Sequence, residues 1–268
     1  MTSSPVRGHF RPTLVAVAHG SRDPRALPAV RALLERVSAA RPGVDVRLGH
    51  VELDEPLLAD TLAGLRGGRG RGEAVLVPLL LGRGHHVKHD LPGALAAAPW
   101  LRGTVAAPLG PHPLLADVLH ARLLAAGWPG GARPGARGGA DTAPAGEAVV
   151  LAAAGSRDPD SAVDTGRTAD LLAARLGVPV LPAYASAAAP TVADAVDALA
   201  ARGIDRRRIA VASYFTAPGR FATQTSAAAP WIAAAPLGAH EAMARLVLHR
   251  YDEAARALRT PALLARAG

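Results

Sequence analysis

Short apolar runs alternate with helical patterns along almost the whole chain. Thr13–Ala18 is a run without a single charge, and it predicts a strand buried on both faces. Arg25–Ala39 follows with apolar positions at helical spacing; Asp23 is the expected N-cap and Pro24 the first helical residue. The pattern then predicts a strand over Val44–Val51, a helix over Leu57–Leu65 starting at Pro56, and a Val/Leu-rich strand over Ala74–Leu80. A short helix over Leu91–Ala98, a short strand over Val105–Ala107 and a helix over Pro113–Ala126 complete a first unit. The order then repeats: strand Ala148–Ala153, helix Ser161–Leu176, strand Val178–Ala183, helix Thr191–Ala201, strand Ile209–Tyr214 and a long final helix Glu241–Leu258. Strand–helix alternation with nearly all-apolar strands predicts an α/β architecture of parallel sheets covered by helices on both faces.

Between the two series lies a segment dominated by Gly and Pro, from Pro129 to Gly146, with no large apolar side chain. It reads as a flexible linker. The expected domains are therefore 12–128, the linker 129–146, and 147–268. The halves share a literal repeat: Gly20-Ser21-Arg22-Asp23-Pro24 recurs 135 residues later as Gly155-Ser156-Arg157-Asp158-Pro159. Only the first copy is preceded by a histidine, His19; the second has Ala154.

Composition narrows the chemistry. Half of the 268 residues are apolar but only 3% are aromatic, so Ala, Leu and Val must build the cores. There is no cysteine, which excludes disulfides, thiolate metal sites and a cysteine nucleophile. A net charge of +8 is compatible with a nucleic-acid partner. However, the arginines are scattered and no aromatic residues interleave with them, so none is expected. Met1–Arg11 lacks an apolar core of signal-peptide length and no uninterrupted apolar stretch is long enough to span a bilayer, so the expectation is a cytoplasmic protein with no membrane partner.

Three places carry candidate chemistry, each just past the carboxyl end of a predicted strand, where open parallel sheets bind ligands. The first is His19 and the turn behind it. Its glycine permits a sharp bend, and Ser21 and Arg22 stand where amide donors favour an anion. A tight turn with a helix cap would need the same repeated residues, so His19, which is not repeated, holds the surplus information. The second is Gly82-Arg83-Gly84-His85-His86-Val87-Lys88-His89-Asp90, with three histidines in five residues. Imidazole suits Fe, Co, Ni and Zn, and His85 and His89 would share a helix face. A solvated basic loop is the alternative reading. In the second half Phe221 stands where His86 stands in the first, so both histidines are lost together. The third is Glu52, a carboxylate that could accept a proton or meet a cation; its match in the second half falls near Ser186. His112 and His240 recur in matching Ala-Pro-Leu-Gly-x-His stretches and read as helix-start architecture. No phosphate-binding Gly-Lys-Ser/Thr loop, dinucleotide fingerprint or Gly-x-Ser-x-Gly elbow is present.

Together, the His-Gly-Ser-Arg after the first strand, the Glu52-Leu53-Asp54-Glu55-Pro56 after the second, and the Pro-Leu-Leu-Leu-Gly-x-Gly-x-His-x-x-x-Asp-x-Pro from Pro78 to Pro92 resemble the sirohydrochlorin chelatases, class II chelatases of the cobalamin and siroheme pathways. The resemblance extends to the duplication and to the degenerate second half. It implies two tandem flavodoxin-like three-layer α/β/α domains with parallel sheets, of which the first is catalytic. It implies ATP-independent insertion of Co²⁺ or Fe²⁺ into sirohydrochlorin, with loss of two pyrrole protons and no organic cofactor. The family's metal-binding histidines fall on His19 and His86, and its acidic active-site residue on Glu52. Ser21, Arg22, Arg83, Gly84 and Lys88 lie beside them and are expected to meet the substrate carboxylates. Leu80 departs from an aromatic common in the family, and His85 and His89 have no counterpart role. A carrier of Co²⁺ or Ni²⁺ that performs no insertion would use the same histidines. The choice of metal stays open, as does oligomeric state, though two units paired within one chain would suffice as a monomer.

Overall fold

The computed structural model describes residues 11–66, 72–130 and 146–259. Most of the linker expected at 129–146 lies outside the described residues. The first half contains β1 (Thr13–Ala18), α1 (Ala26–Ala40), β2 (Val46–His50), α2 (Leu58–Ala63), β3 (Glu73–Pro78), α3 (Leu91–Ala96), β4 (Arg102–Val105) and α4 (Pro113–Ala125). The second contains β5 (Ala148–Ala153), α5 (Pro159–Leu176), β6 (Val180–Tyr184), α6 (Val192–Ala200), β7 (Ile209–Ser213), α7 (Arg220–Ala227) and α8 (Glu241–Arg259). The strands form two all-parallel sheets, ordered β2-β1-β3-β4 and β6-β5-β7. Among the described residues no helix is long and apolar enough to cross a membrane.

Each central strand explains its own composition. β1 is flanked by β2 and β3 and every residue in it is buried. The two-residue period of a strand splits it: Leu14, Ala16 and Ala18 enter the large core shared by both halves, while Val15 and Val17 face a smaller cluster under α2 and α3. β5 divides in the same way, with Val149, Leu151 and Ala153 facing the shared core and Ala148, Val150 and Ala152 facing away from it.

The helix packing crosses the sequence boundary. α8 lies against α1, β3 and β4 of the first half, and α4 lies against α5 and β7 of the second. The halves thus exchange their last helices. The exchange is pinned by polar contacts: Tyr251 donates to the Pro12 carbonyl at 2.7 Å, Arg41 pairs with Asp252 at 3.0 Å, and Arg122 donates to the Leu237 carbonyl at 2.7 Å. α8 buries Met243, Leu246, Val247 and Tyr251 among others, each worth about 1.5–3 kcal/mol of apolar transfer. That makes the last helix an integral part of the first half's cover.

Two local expectations need correction. Asp23 does not cap α1: the helix starts at Ala26, and Asp23 Oδ1 accepts from the Arg25 N–H at 2.9 Å in a turn ahead of it. In the second copy Asp158 does cap α5, accepting from the Asp160 N–H at 3.0 Å, with Pro159 in the first turn. α7 was not foreseen, because its buried side consists of Ala222 and Thr225 and shows no strong apolar stripe. His112 and His240 are helix-start architecture: the Nδ1 atoms accept from the N–H groups of Leu114 and Ala242, each at 3.1 Å.

Candidate functional site

The duplicated turn is a backbone device, and it is the same in both halves. Gly20 has φ +100°, and a Cβ there would collide with the Glu52 carbonyl; Gly155 has φ +88° and stands in the same relation to the Ser186 carbonyl. Ser21 and Ser156 each accept from the N–H two residues ahead, at 3.1 Å. The Glu52 N–H donates to the His19 carbonyl and the Ser186 N–H to the Ala154 carbonyl, both at 3.0 Å. The scaffold is retained in both copies and only the side chains on it differ.

In the first half this scaffold brings three elements to the carboxyl edge of the sheet. His19 follows β1, Glu52 follows β2, and His86 opens a single π-helical turn, His86–Asp90, after β3. Such turns are rare and concentrate at functional sites. The His19 and His86 rings lie edge to face with centroids 4.8 Å apart. His19 Nε2 is 3.5 Å from Glu52 Oε1, and His86 Nδ1 is 2.6 Å from Asp90 Oδ2. The four side chains thus form a row, Glu52–His19–His86–Asp90, open to solvent.

The short Asp90 contact assigns the ring nitrogens of His86. With a proton on Nδ1, His86 donates to Asp90 and presents a bare Nε2. His19 Nδ1 faces the Gly20 carbonyl at 3.3 Å and its Nε2 faces the Glu52 carboxylate at 3.5 Å, so each ring nitrogen has an acceptor for a proton. Two imidazoles with adjacent carboxylates suit a cation that must be held and then released. Among the described residues no three His, Asp or Glu side chains converge as a closed metal cage.

The remaining residues singled out in the sequence divide into two groups. Ser21 and Arg22 border an open groove of about 780 Å³ that runs along α1 past Arg31 to Glu35 and is lined also by Asp23, Leu53 and Asp54; His19, Glu52 and His86 do not line it. The Ser21 N–H donates to Asp54 Oδ2 at 2.9 Å. Arg22 and Arg31 have no ion-pair partner among the described residues. Arg83, Gly84 and Lys88 instead face the second half. The Arg83 guanidinium grips Asp164 at 2.7 Å, and its backbone N–H donates to the same carboxylate at 2.8 Å. Lys88 Nζ holds Asp158 at 2.6 Å and Asp160 at 2.9 Å. Gly84 lies opposite Ser156. The charges of Arg83 and Lys88, expected on the substrate, are committed to holding the His86 loop against α5. Both stay cationic, since the facing aspartates raise their pKa values further.

The sequence reading passed over two residues here. Asp90 carries the orienting carboxylate, and its four-residue spacing from His86 was the available signal. Leu53 is 51% exposed with φ +69°, an uncommon conformation for a bulky residue, and it projects into the groove beside Glu52. Nothing in the sequence pattern marks it.

Comparison with known proteins settles the lineage. The CbiX family model matches residues 13–126 and 148–254, once in each half. The chain belongs to the CbiX family. Within that family, it is similar to a sirohydrochlorin cobaltochelatase of Methanosarcina acetivorans, 30% identical over 121 residues, which span 92% of that protein and 41% of this one. A Methanosarcina barkeri protein of the same name is 29% identical over the same shares of each chain. Among solved structures, SirB from Bacillus subtilis with Fe³⁺ superposes with a TM-score of 0.72 at 24% identity, covering 91% of this CbiX-family chain and 96% of SirB. A CbiX structure described as the terminal enzyme for siroheme biosynthesis in denitrifying bacteria gives 0.64 at 22% identity, covering 90% of this chain and 99% of that one. These likenesses show a shared fold of two parallel-sheet α/β units.

Proposed function

We propose that this protein is a chelatase that inserts a divalent metal, Co²⁺ or Fe²⁺, into sirohydrochlorin without ATP. The observation that carries the reading is the edge-to-face pair of His19 and His86, 4.8 Å between centroids, with Glu52 beside it at 3.5 Å. The names of the relatives support the substrate. The metal is a substrate here, and insertion requires that it leave. Two imidazoles hold a borderline cation with positions left open for other ligands, whereas structural sites are closed by four. As the metal enters the macrocycle the inner pyrrole N–H protons must depart. The Glu52 carboxylate and the His19 imidazole stand side by side to take them.

Arg22 and Arg31, free of carboxylate partners in the groove, are placed to meet the peripheral carboxylates of the tetrapyrrole. Leu53 offers an apolar contact to a macrocycle face. The second half holds the His86 loop through Asp158, Asp160 and Asp164.

An anaerobic mixture of protein, sirohydrochlorin and Co²⁺ or Fe²⁺ tests the proposal by the shift in tetrapyrrole absorption. The expected result is acceleration over the metal and tetrapyrrole alone, abolished in His19→Ala and in His86→Ala. Metal binding with no acceleration would overturn it in favour of a carrier. Competition between the two metals in the same assay decides which is preferred.

A further inference from the structure

His85 and His89 have no part in the row just described, yet they reproduce the spacing of its two imidazoles. Their ring centroids are 4.8 Å apart, the same separation as His19 and His86, with the planes tilted by 41°. Metal–imidazole bonds are about 2.1 Å, which sets the centroids of two rings on one ion about 5 Å apart. The two residues are four apart, and the turn that carries them is fixed: Lys88 N–H donates to the Gly84 carbonyl at 3.0 Å and the Leu91 N–H to that of His86. This turn is anchored from outside by the Arg83–Asp164 and Lys88–Asp158 pairs, so the rings are presented by a braced backbone. The same anchoring ties the Lys88 ammonium, the nearest cation in sequence, to Asp158 and Asp160.

The two histidine pairs are also connected. The His85 and His86 centroids are 6.3 Å apart. Asp90 stands between the pairs and serves both, with Oδ2 at 2.6 Å from His86 Nδ1 and Oδ1 at 3.6 Å from His85 Nε2. One carboxylate therefore lends negative charge to each pair. The His85 side chain is 74% exposed and that of His86 33%. His85 is thus the most exposed side chain of the cluster and is open to a cation from solvent.

We propose that His85 and His89 form a second binding station for a borderline first-row divalent cation, at the mouth of the insertion site, from which the ion passes by ligand exchange to His19 and His86. No bond other than metal–ligand bonds is made or broken, and no electron moves. As a feeder the station rests on the chelatase reading; as a binding site it does not.

The test is metal binding without tetrapyrrole. Co²⁺ is titrated anaerobically into the full chain by calorimetry and by its visible absorption. The proteins compared are wild type, His19→Gln/His86→Gln, His85→Gln/His89→Gln, and the fourfold variant, each checked for native circular dichroism. The expected result is that His19→Gln/His86→Gln still binds one Co²⁺, and that the fourfold variant binds it at least about tenfold more weakly, a difference of about 1.4 kcal/mol. Equal binding by those two variants would overturn the proposal. An independent reading comes from His19→Gln/His86→Gln at substoichiometric Co²⁺: paramagnetic perturbation of the His85 and His89 ring signals supports the station, and unperturbed His85 and His89 signals refute it. Failure of wild type to metallate sirohydrochlorin would sink the chelatase reading and leave this site standing. Failure of these titrations would do the reverse.

Discussion

Removing the Asp90 carboxylate tests how His86 is made into a ligand. The 2.6 Å contact from His86 Nδ1 is a short, charge-assisted hydrogen bond that fixes the proton on Nδ1 and frees Nε2 for a metal. Hydrogen bonds to charged groups contribute about 1.5–3 kcal/mol. Asp90 is 41% exposed and His86 33%, so water competes and the lower end applies. A loss of about 1.5 kcal/mol corresponds to about tenfold in metal affinity, at the low end of the 10–100-fold range for such outer carboxylates. Asp90→Ala should therefore weaken Co²⁺ binding about tenfold or more, with a matching loss of insertion rate at low metal. Asp90→Asn keeps an acceptor for the Nδ1 proton while losing the charge, so it should fall between Ala and wild type. Both should leave stability within about 0.5 kcal/mol, as expected at a largely solvated position. Calorimetric Co²⁺ titration, ¹⁵N spectra of the His86 ring and urea unfolding together separate these effects. Affinity within twofold of wild type in Asp90→Ala, or a ring still held in the Nδ1–H tautomer there, would refute the reasoning.

Three other expectations follow from the same structure. Tyr214, buried in β7's extension, donates to the Leu81 carbonyl at 2.9 Å across the halves, so Tyr214→Phe should cost about 1–2 kcal/mol by urea unfolding; no change would mean that this contact is not held in solution. His112, His120 and His240 have pKa values pushed below the ordinary imidazole range, chiefly by burial and then by Arg250, Arg175 and Arg122 respectively. Below about pH 6.5 the unfolded chain therefore takes up protons before the folded one, so Tm should be level above neutrality and fall as pH drops from about 7 towards 5. Asn caps helices without titrating, so His112→Asn/His240→Asn should make that fall shallower, and an unchanged slope would contradict the assignment. Arg22→Gln/Arg31→Gln should raise KM for sirohydrochlorin about tenfold while leaving Co²⁺ affinity unaltered, and added salt should mimic it in wild type; a salt-independent KM would count against carboxylate recognition in the groove.

What could be read from the chain, and what could not, divides along physical lines. The strands were legible because β1 and β5 are central and buried on both sides, which demands uninterrupted apolar runs. His19 and His86 were legible because a duplicated scaffold makes any unrepeated side chain conspicuous. The helix exchange was hidden: periodicity reports that α4 and α8 have faces to bury, and says nothing about which sheet receives them. The ion pairs of Arg83 and Lys88 were hidden for the same reason. Their proximity in sequence to the histidines was visible, while Asp158, Asp160 and Asp164 reach them only through the fold. Asp164 looks like an ordinary helix-surface acid in sequence, yet its side chain is 2% exposed.

The two asymmetries of the molecule have one explanation. His19, His86 and Asp90 correspond to Ala154, Phe221 and Thr225, each 135 residues on, and Glu52 corresponds to Ser186, 134 residues on, whose carbonyl stands in the same relation to the turn glycine. The contacts between halves have diverged in the opposite sense. Lys88 meets Asp160 through an ammonium and a carboxylate at 2.9 Å; the counterpart contact is a 3.4 Å approach of Arg25 to the Thr223 hydroxyl. Arg83 meets Asp164; the counterparts are Pro218 and Ala29, which carry no charge. The acids that brace the His86 loop thus belong to the half that has lost the histidines. On the proposed reading, a loop bearing three imidazoles that keep their spacing as a cation enters or leaves needs a rigid base, and α5 supplies it. The second half thus braces the His86 loop of the first, which accounts for a copied fold kept intact around a turn that lacks the two histidines. The exchange of α4 and α8 completes the dependence, since β3, the strand that leads into the His86 loop, is itself covered by the last helix of the second half.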